Sequence, residues 1–338
     1  MTDDTQPKVR LSHGAGGKAM RDLVSSVFLR GVDDPEALAT DDGAVIPFGA
    51  EHLVVTTDAH VVSPAFFPGG DIGRLAVSGT VNDLAMMGAW DAIALTSAVI
   101  VEEGYPLASL ERIHASMAEA CREAETRIVA GDTKVMRRGE LDGVVITTSG
   151  LGRAPRVIRD SGLKEGDLVI VTGTIGDHGL AILGARHGLG LEGELVSDVA
   201  PLNGMVRALV AALGDDLHAM KDPTRGGVTS TFVEMATKAG VSIELDEARI
   251  PVSEASRAAA ELLGIDVLAM ANEGKALVIV APHAEGRALE ALHTHPYGRR
   301  AAVIGRVVRG TPGEVLLDTG FGHRRLVERD AEPVPRIC

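Results

Sequence analysis

Aromatic side chains make up only 3% of this 338-residue chain, which argues against the stacking platforms used to bind single-stranded nucleic acid. Cysteine is scarcer still: Cys121 and Cys338 stand alone, with no CxxC pair, as expected of a chain made for a reducing compartment. Basic residues are in deficit, 33 Lys and Arg against 47 Asp and Glu, and the net charge of -14 repels DNA and acidic membrane surfaces. No apolar run reaches the length of a membrane span, and the acidic start Met1-Thr2-Asp3-Asp4 is unlike a signal peptide. The expectation is a cytoplasmic protein with no nucleic-acid or membrane partner. Short repeats and low-complexity tracts are absent as well.

What is present is aliphatic. Hydrophobic residues reach 45%, enough to fill the two domains that this length suggests. Ser12-His13-Gly14-Ala15-Gly16-Gly17-Lys18 is a glycine-rich entry to a helix carrying Met20, Leu23, Val24, Val27 and Phe28 at helical spacing. It is not a Walker loop, since Lys18 lacks a following Ser or Thr. Strands are expected over Ala44–Phe48, Leu53–Thr57, Ile93–Val101, Arg127–Ala130 and Val144–Ser149, and helices over Asp71–Met87 and Leu107–Ala124. Cys121 shares an apolar helix face with Leu110, Ile113 and Met117 and reads as a buried small hydrophobe. The segment Arg153–Asp167, with Pro155, Gly162 and Gly166, marks a boundary, after which the pattern restarts. Domains are thus expected at 1–155 and 156–330, each mixed α+β because strands and helices follow no strict βαβ alternation. The last eight residues, Ala331 to Cys338, hold Pro333 and Pro335 and form a polyproline-like arm that can reach ~26 Å. Its thiol is expected to have few packing neighbours.

Asp41, Asp42, Asp58, Asp83 and Asp132 lie at element ends beside small residues in the first half. Singly each is a cap or turn residue; together they favour a Mg²⁺–nucleotide site, because Mg²⁺ takes hard oxygen ligands and shares them with phosphates. Asp222-Pro223-Thr224-Arg225-Gly226-Gly227 opens a later helix, where glycine N–H groups and Arg225 suit an anion. The expected ATP site is Asp42, Asp58, Asp83, Asp132, Asp222, Thr224, Arg225, Gly226 and Gly227, with Asp42, Asp83 and Asp222 as metal ligands. Asn272-Glu273-Gly274-Lys275 reads as a turn before a strand, and Lys134 as a surface lysine.

Seven segments taken in order carry a resemblance: His13-Gly14-Ala15-Gly16-Gly17, Phe66-Phe67-Pro68-Gly69-Gly70, Gly131-Asp132-Thr133-Lys134-Val135, Gly176-Asp177-His178-Gly179, the Asp222–Gly227 motif, Asn272-Glu273-Gly274-Lys275 and the terminal Pro335-Arg336-Ile337-Cys338. From about residue 11 to the end the chain resembles the HypE family of hydrogenase maturation factors. That family sits in the ATP-binding superfamily of aminoimidazole ribonucleotide synthase, selenophosphate synthetase and thiamine-phosphate kinase. The resemblance implies two α/β domains with a mobile tail, and a homodimer through the N-terminal sheets. It also implies that a carbamoyltransferase, HypF, loads the terminal cysteine, that ATP and Mg²⁺ drive dehydration of the S-carboxamide to a thiocyanate, and that the cyanide passes to a HypC–HypD iron carrier. By the same resemblance Cys338 carries the group while Glu273 and Lys134 divide the roles of base and cation, in either order. A selenophosphate synthetase would need a reactive cysteine in the first glycine segment, and none precedes Cys121. A tail that only docks on a partner is the non-enzymatic alternative.

Overall fold

The computed structural model describes residues 8–14, 16–190, 194–328 and 336–338. The proline run through Pro333 and Pro335, Ala15 of the glycine entry and Met1–Asp4 lie outside the described residues.

The chain opens with α1 (Gly17–Leu23) and α2 (Pro35–Ala39), the latter capped by Asp34, whose carboxylate accepts from the N–H groups of Glu36 and Ala37. Then follow β1 (Ala44–Phe48), β2 (Glu51–His60), the short ribbon β3 (Phe66–Phe67) with β4 (Gly70–Asp71), α3 (Ile72–Met86), β5 (Asp91–Glu102), α4 (Leu107–Glu123), β6 (Ile128–Met136) and β7 (Val144–Ala154). Five of these strands make one sheet in the order β1-β2-β7-β5-β6, antiparallel except for the parallel pair β5–β6.

The second half holds β8 (Leu168–Val171), α5 (Asp177–His187), α6 (Asn203–Leu213), β9 (Leu217–Lys221), α7 (Gly227–Ala239), β10 (Ser242–Asp246), α8 (Glu254–Leu263), β11 (Leu277–Val280), α9 (Glu285–His293), β12 (Ala302–Val308), β13 (Val315–Asp318) and β14 (His323–Leu326). Its sheet runs β14-β13-β10-β12-β8-β11-β9, with one parallel pair, β10–β13. Both sheets are therefore mixed and mostly antiparallel, the expected α+β class.

The helix that ties the halves together is α3. Asp71 caps it by accepting from the N–H groups of Gly73 and Arg74 at 2.8 and 3.0 Å. Apolar or small residues stand on all sides, including Leu75, Ala76, Val77, Gly79, Val81 and Leu84, so no face suits water. Most of α3 packs into a core shared with α4, α5 and Ile337, while Ala85 and Met86 join a second core with α6 and α9. A third core fills the space between α7 and the second sheet. Packing is thus continuous across the segment Arg153–Asp167.

Candidate active site

Between the two sheets lies a cleft of about 980 Å³, a size typical of nucleotide-sized ligands. Its walls come from the turn before α1, from α1 itself, from Asp41–Ala44, from β2 and α3, and from the segment entering α7; Glu273 and Cys338 lie on it as well.

Each acidic group reaches the cleft by a different route. Asp58 stands on β2 and Asp83 on the last turn of α3. The Thr56 hydroxyl bridges the wall, 2.8 Å from the Asp42 carbonyl and 3.0 Å from Asp83 Oδ2. Asp222 follows β9 and is buried. These carboxylates lie close enough to repel one another. Burial, followed by the charges of Asp222, Asp58 and Asp42, holds the Asp83 carboxyl well above the usual carboxylate range. Burial and Asp42 push Asp222 up to about 7 against the opposing pull of Lys221. Burial also raises Asp42, although Lys221 donates to it at 2.5 Å. Among the described residues no three acids, histidines or cysteines converge into a ready-made metal cage, so Asp42, Asp83 and Asp222 do not form one on their own.

Lys221 carries no role in the sequence reading, yet it organises this wall. Burial alone would lower its pKa, but Asp42, Glu234 and Asp160 outweigh that and hold it well above the usual lysine value. Asp160 accepts from Lys221 at 3.0 Å and from Lys238 at 2.8 Å, and Arg159 pairs with Glu36 and Asp41 at 2.7 and 2.6 Å. Asp41 is thereby a structural tie between the halves, and the local signal for Lys221 was its position beside Asp222.

Glu273 is held from both sides. Asp198 accepts its N–H at 3.0 Å, and the Asn82 amide donates to its carbonyl at 3.3 Å and to Ala200 at 3.1 Å. Gly274 is required by close approach, since a Cβ there would lie 1.8 Å from the Asp198 carbonyl oxygen. The Glu273 side chain is only 4% exposed, and its Oε1 has no hydrogen-bond partner. Burial, then the charges of Asp222, Asp58 and Asp198, raise its pKa well above the usual glutamate value, against the pull of Arg225.

Thr224 and Arg225 line the cleft. Gly226 and Gly227 do not offer two open N–H groups as expected, because the Gly227 N–H already donates to the Thr224 carbonyl at 2.9 Å. Both take positive φ, and a Cβ on Gly227 would meet the Leu268 and Met270 carbonyls at 2.7 and 2.6 Å. These glycines shape the turn and its packing.

Lys134 and Asp132 are the clearest departure from expectation. The strand expected to end at Ala130 instead runs on through Asp132 and Lys134 as β6, the edge strand of the first sheet, with eight of its nine residues exposed. The Lys134 side chain is 68% exposed and pairs at 2.7 Å with Asp132, itself 64% exposed. Neither lies on the cleft of its own chain.

The tail departs in the opposite sense. Ile337 is 2% exposed inside the first core, a burial that contributes about 1.5–3 kcal/mol, and Cys338 is half-buried against the same core. Backbone N–H groups of Val61 and Ser63 donate to the Cys338 and Arg336 carbonyls at 3.0 and 3.2 Å, a strand-like pairing beyond the end of β2. Arg336 is engaged by Asp142. The expectation of a thiol with few neighbours fails because Ile337 enters the first core and the terminal carbonyls accept from Val61, Ser63 and His178. Cys338 thus shares one cleft with Glu273, Asp58, Asp83 and Asp222.

The sequence matches the AIR synthase related protein, N-terminal domain, over residues 40–154 and the AIR synthase related protein, C-terminal domain, over residues 164–318. It is 45% identical to the carbamoyl dehydratase HypE of Rhizobium leguminosarum bv. viciae over 339 residues, covering 99% of this chain and 97% of that protein. A crystal structure of a HypE–HypF complex contains a chain similar to this one at 42% identity with a TM-score of 0.86, covering 91% of this chain and 99% of that one. HypE crystallised in complex with ATP gives 40% identity and a TM-score of 0.81 over 98% of this chain and 100% of that one. With this similarity spanning nearly its whole length, the chain belongs to the HypE family.

Proposed function

We propose that the protein is an ATP-dependent carbamoyl dehydratase that converts an S-carboxamide on its own Cys338 to a thiocyanate, the source of a cyanide ligand for hydrogenase maturation. The observation that carries this reading is the presence of Cys338 and the orphaned Glu273 carboxyl on one nucleotide-sized cleft.

The chemistry assigns work to these groups. An amide oxygen leaves poorly, and ATP supplies the remedy by phosphorylating it, with release of ADP. One N–H proton is lost as the C=N bond forms, and the second is lost as phosphate departs and C≡N forms. Glu273, raised in proton affinity by its neighbours, is the base placed to take a proton once ionised. Thr224 and Arg225 meet phosphate oxygens. Asp58, Asp83 and Asp222, whose mutual repulsion an added cation would relieve, are the residues that would hold Mg²⁺ together with the nucleotide, since Asp42 is engaged by Lys221. When bound the ion neutralises charge developing on the phosphates.

Lys134 reaches a cleft only if another chain supplies it. β6 is an edge strand that exposes Val129 and Val135, and β1 and β5 of the same sheet expose Ile46, Phe48 and Ile93. This supports a homodimer in which Lys134 of one copy serves the other's cleft. HypF as the loading partner and a HypC–HypD carrier as the cyanide acceptor follow from kinship with HypE. A cytoplasmic setting agrees with the two free thiols, and no helix among the described residues is long and apolar enough to cross a membrane.

The test is ATP turnover with and without a carboxamide on Cys338. Only the loaded chain should consume ATP stoichiometrically with thiocyanate. Equal turnover by Cys338→Ala would overturn the reading.

A further inference from the structure

Two motifs, Phe66–Gly70 and Gly176–Gly179, remain without a role in ATP binding, and they converge on the tail. His178 opens α5, is fully buried, and lies 2.7 Å from the Ile337 carbonyl through Nε2. A carbonyl can only accept, so Nε2 bears the proton and donates. In a neutral ring Nδ1 must then accept, and the Ser197 hydroxyl, 2.8 Å away, is its donor. The serine is in turn fixed: the Val199 N–H donates to its Oγ at 3.1 Å, and its own N–H donates to the Pro68 carbonyl at 2.8 Å. Gly69, at φ +92°, lets that loop approach, because a Cβ there would fall 2.7 Å from the Ser197 carbonyl. The Phe67 ring stands edge-on to the imidazole at 5.4 Å and 88°. A Cβ on Gly179 would press on Ile337 Cδ1 at 3.3 Å. Arg186, about two turns further along α5, donates to the Arg336 and Ser63 carbonyls. Burial lowers the His178 pKa, with Arg186 acting in the same direction and Asp198 and the Ile337 bond opposing, so the ring is neutral near pH 7 as this relay requires.

We propose that the Ser197–His178 pair is a receptor for the C-terminal tail, a set of positioning residues that reads the Ile337 carbonyl and so places Cys338 in the cleft for dehydration. The site takes the backbone carbonyls of a short C-terminal peptide with an aliphatic side chain next to last. Docking is argued from the contacts alone; its catalytic consequence rests on the dehydratase reading.

The experiment measures iodoacetamide alkylation of the unloaded protein, with Cys338 and Cys121 resolved by peptide mass. In the wild type Cys338 should react slowly. His178→Ala loses a buried donor, so the undocked fraction and the Cys338 rate should rise about tenfold. His178→Gln, whose amide N–H can replace Nε2, should stay near wild type. Cys121 is buried in the first core and should stay unreactive in all three; a parallel rise at Cys121 would mean general loosening and would overturn the positioning role. So would His178→Ala reacting at the wild-type rate, or His178→Gln reacting as fast as His178→Ala. Should His178→Ala fail to fold, Ser197→Ala keeps the ring while freeing its tautomer and removing the acceptor of the Val199 N–H, and a Cys338 rate equal to wild type overturns the proposal on its own. With loaded protein and ATP, His178→Ala should dehydrate about tenfold more slowly while binding ATP normally. A wild type that never dehydrates its carboxamide would refute the dehydratase reading and leave the alkylation comparison standing.

Discussion

The cleft wall and strand β6 contain the same residue types and hold them in opposite states. On the wall, Asp83, Asp222 and Glu273 are buried together and pushed up in pKa. On β6, hydrogen bonding from Lys134, followed by the Thr133 N–H, lowers the pKa of the exposed Asp132. On the wall burial and mutual repulsion outweigh the pull of Lys221 and Arg225, whereas the exposed acid on β6 is satisfied by its own lysine. The difference teaches that one chain brings Cys338, the acidic wall and the orphaned Glu273 oxygen onto one cleft, while Lys134 stands on an exposed edge strand away from it; on the proposed reading a second chain brings that lysine in.

The largest effect should come from the wall. Glu273→Gln keeps shape and removes the base, so dehydration should fall about 10²–10⁴-fold, while loading by the partner continues; single-turnover mass analysis of the loaded variant reads this directly. Undiminished dehydration would remove Glu273 from the chemistry.

The comparison itself can be broken by mixing. Lys134→Ala and Glu273→Ala should each be inactive as separate proteins. If Lys134 acts across the dimer, subunit exchange creates one intact site in half of the dimers, and activity should return to about a quarter of wild type. No recovery after demonstrated exchange places Lys134 in its own chain's reaction or outside the reaction altogether.

Asp83→Asn tests the wall's electrostatic state with two opposite signs. Relief of repulsion should raise the stability of the ligand-free protein in urea titration, whereas Mg-ATP affinity measured by calorimetry should fall about tenfold. Unchanged affinity would move the nucleotide site elsewhere.

The smallest effect concerns His178. Its folded pKa is depressed by burial, so the stability it contributes is present above the unfolded value of about 6.5 and is lost as pH falls through the lower folded value. Urea midpoints at pH 7 and pH 5 should differ less in His178→Gln than in wild type; equal differences would show that the ring is not buried neutral.

Much of the fold was legible because it rests on strong periodicity: α3 and α4 fall within a residue or two of expectation. β9 was not, since Leu217-His218-Ala219-Met220-Lys221 has no β-branched residue and becomes a strand through pairing with β11. β14 was missed for a similar reason, its His323-Arg324-Arg325 being polar and held by β13. Glycine and aspartate disguised the far half of β6, which the parallel partner β5 carries. Within the site, local motifs marked Asp42, Asp83, Asp222 and Cys338. The orphaned state of Glu273, the Lys221 network and the inward tail depend on pairings across dozens to hundreds of residues, which no local pattern encodes.

The most direct test of the central claim, that the docked terminal thiol carries the reacting group, is intact-protein mass after incubation with the carbamoyl-donating partner and then with ATP. The wild type should gain the mass of one carboxamide on Cys338 and then, with ATP, lose the mass of one water, while Cys338→Ala, folded and able to bind ATP, should gain nothing. Modification of Cys338→Ala to the wild-type extent would contradict the account.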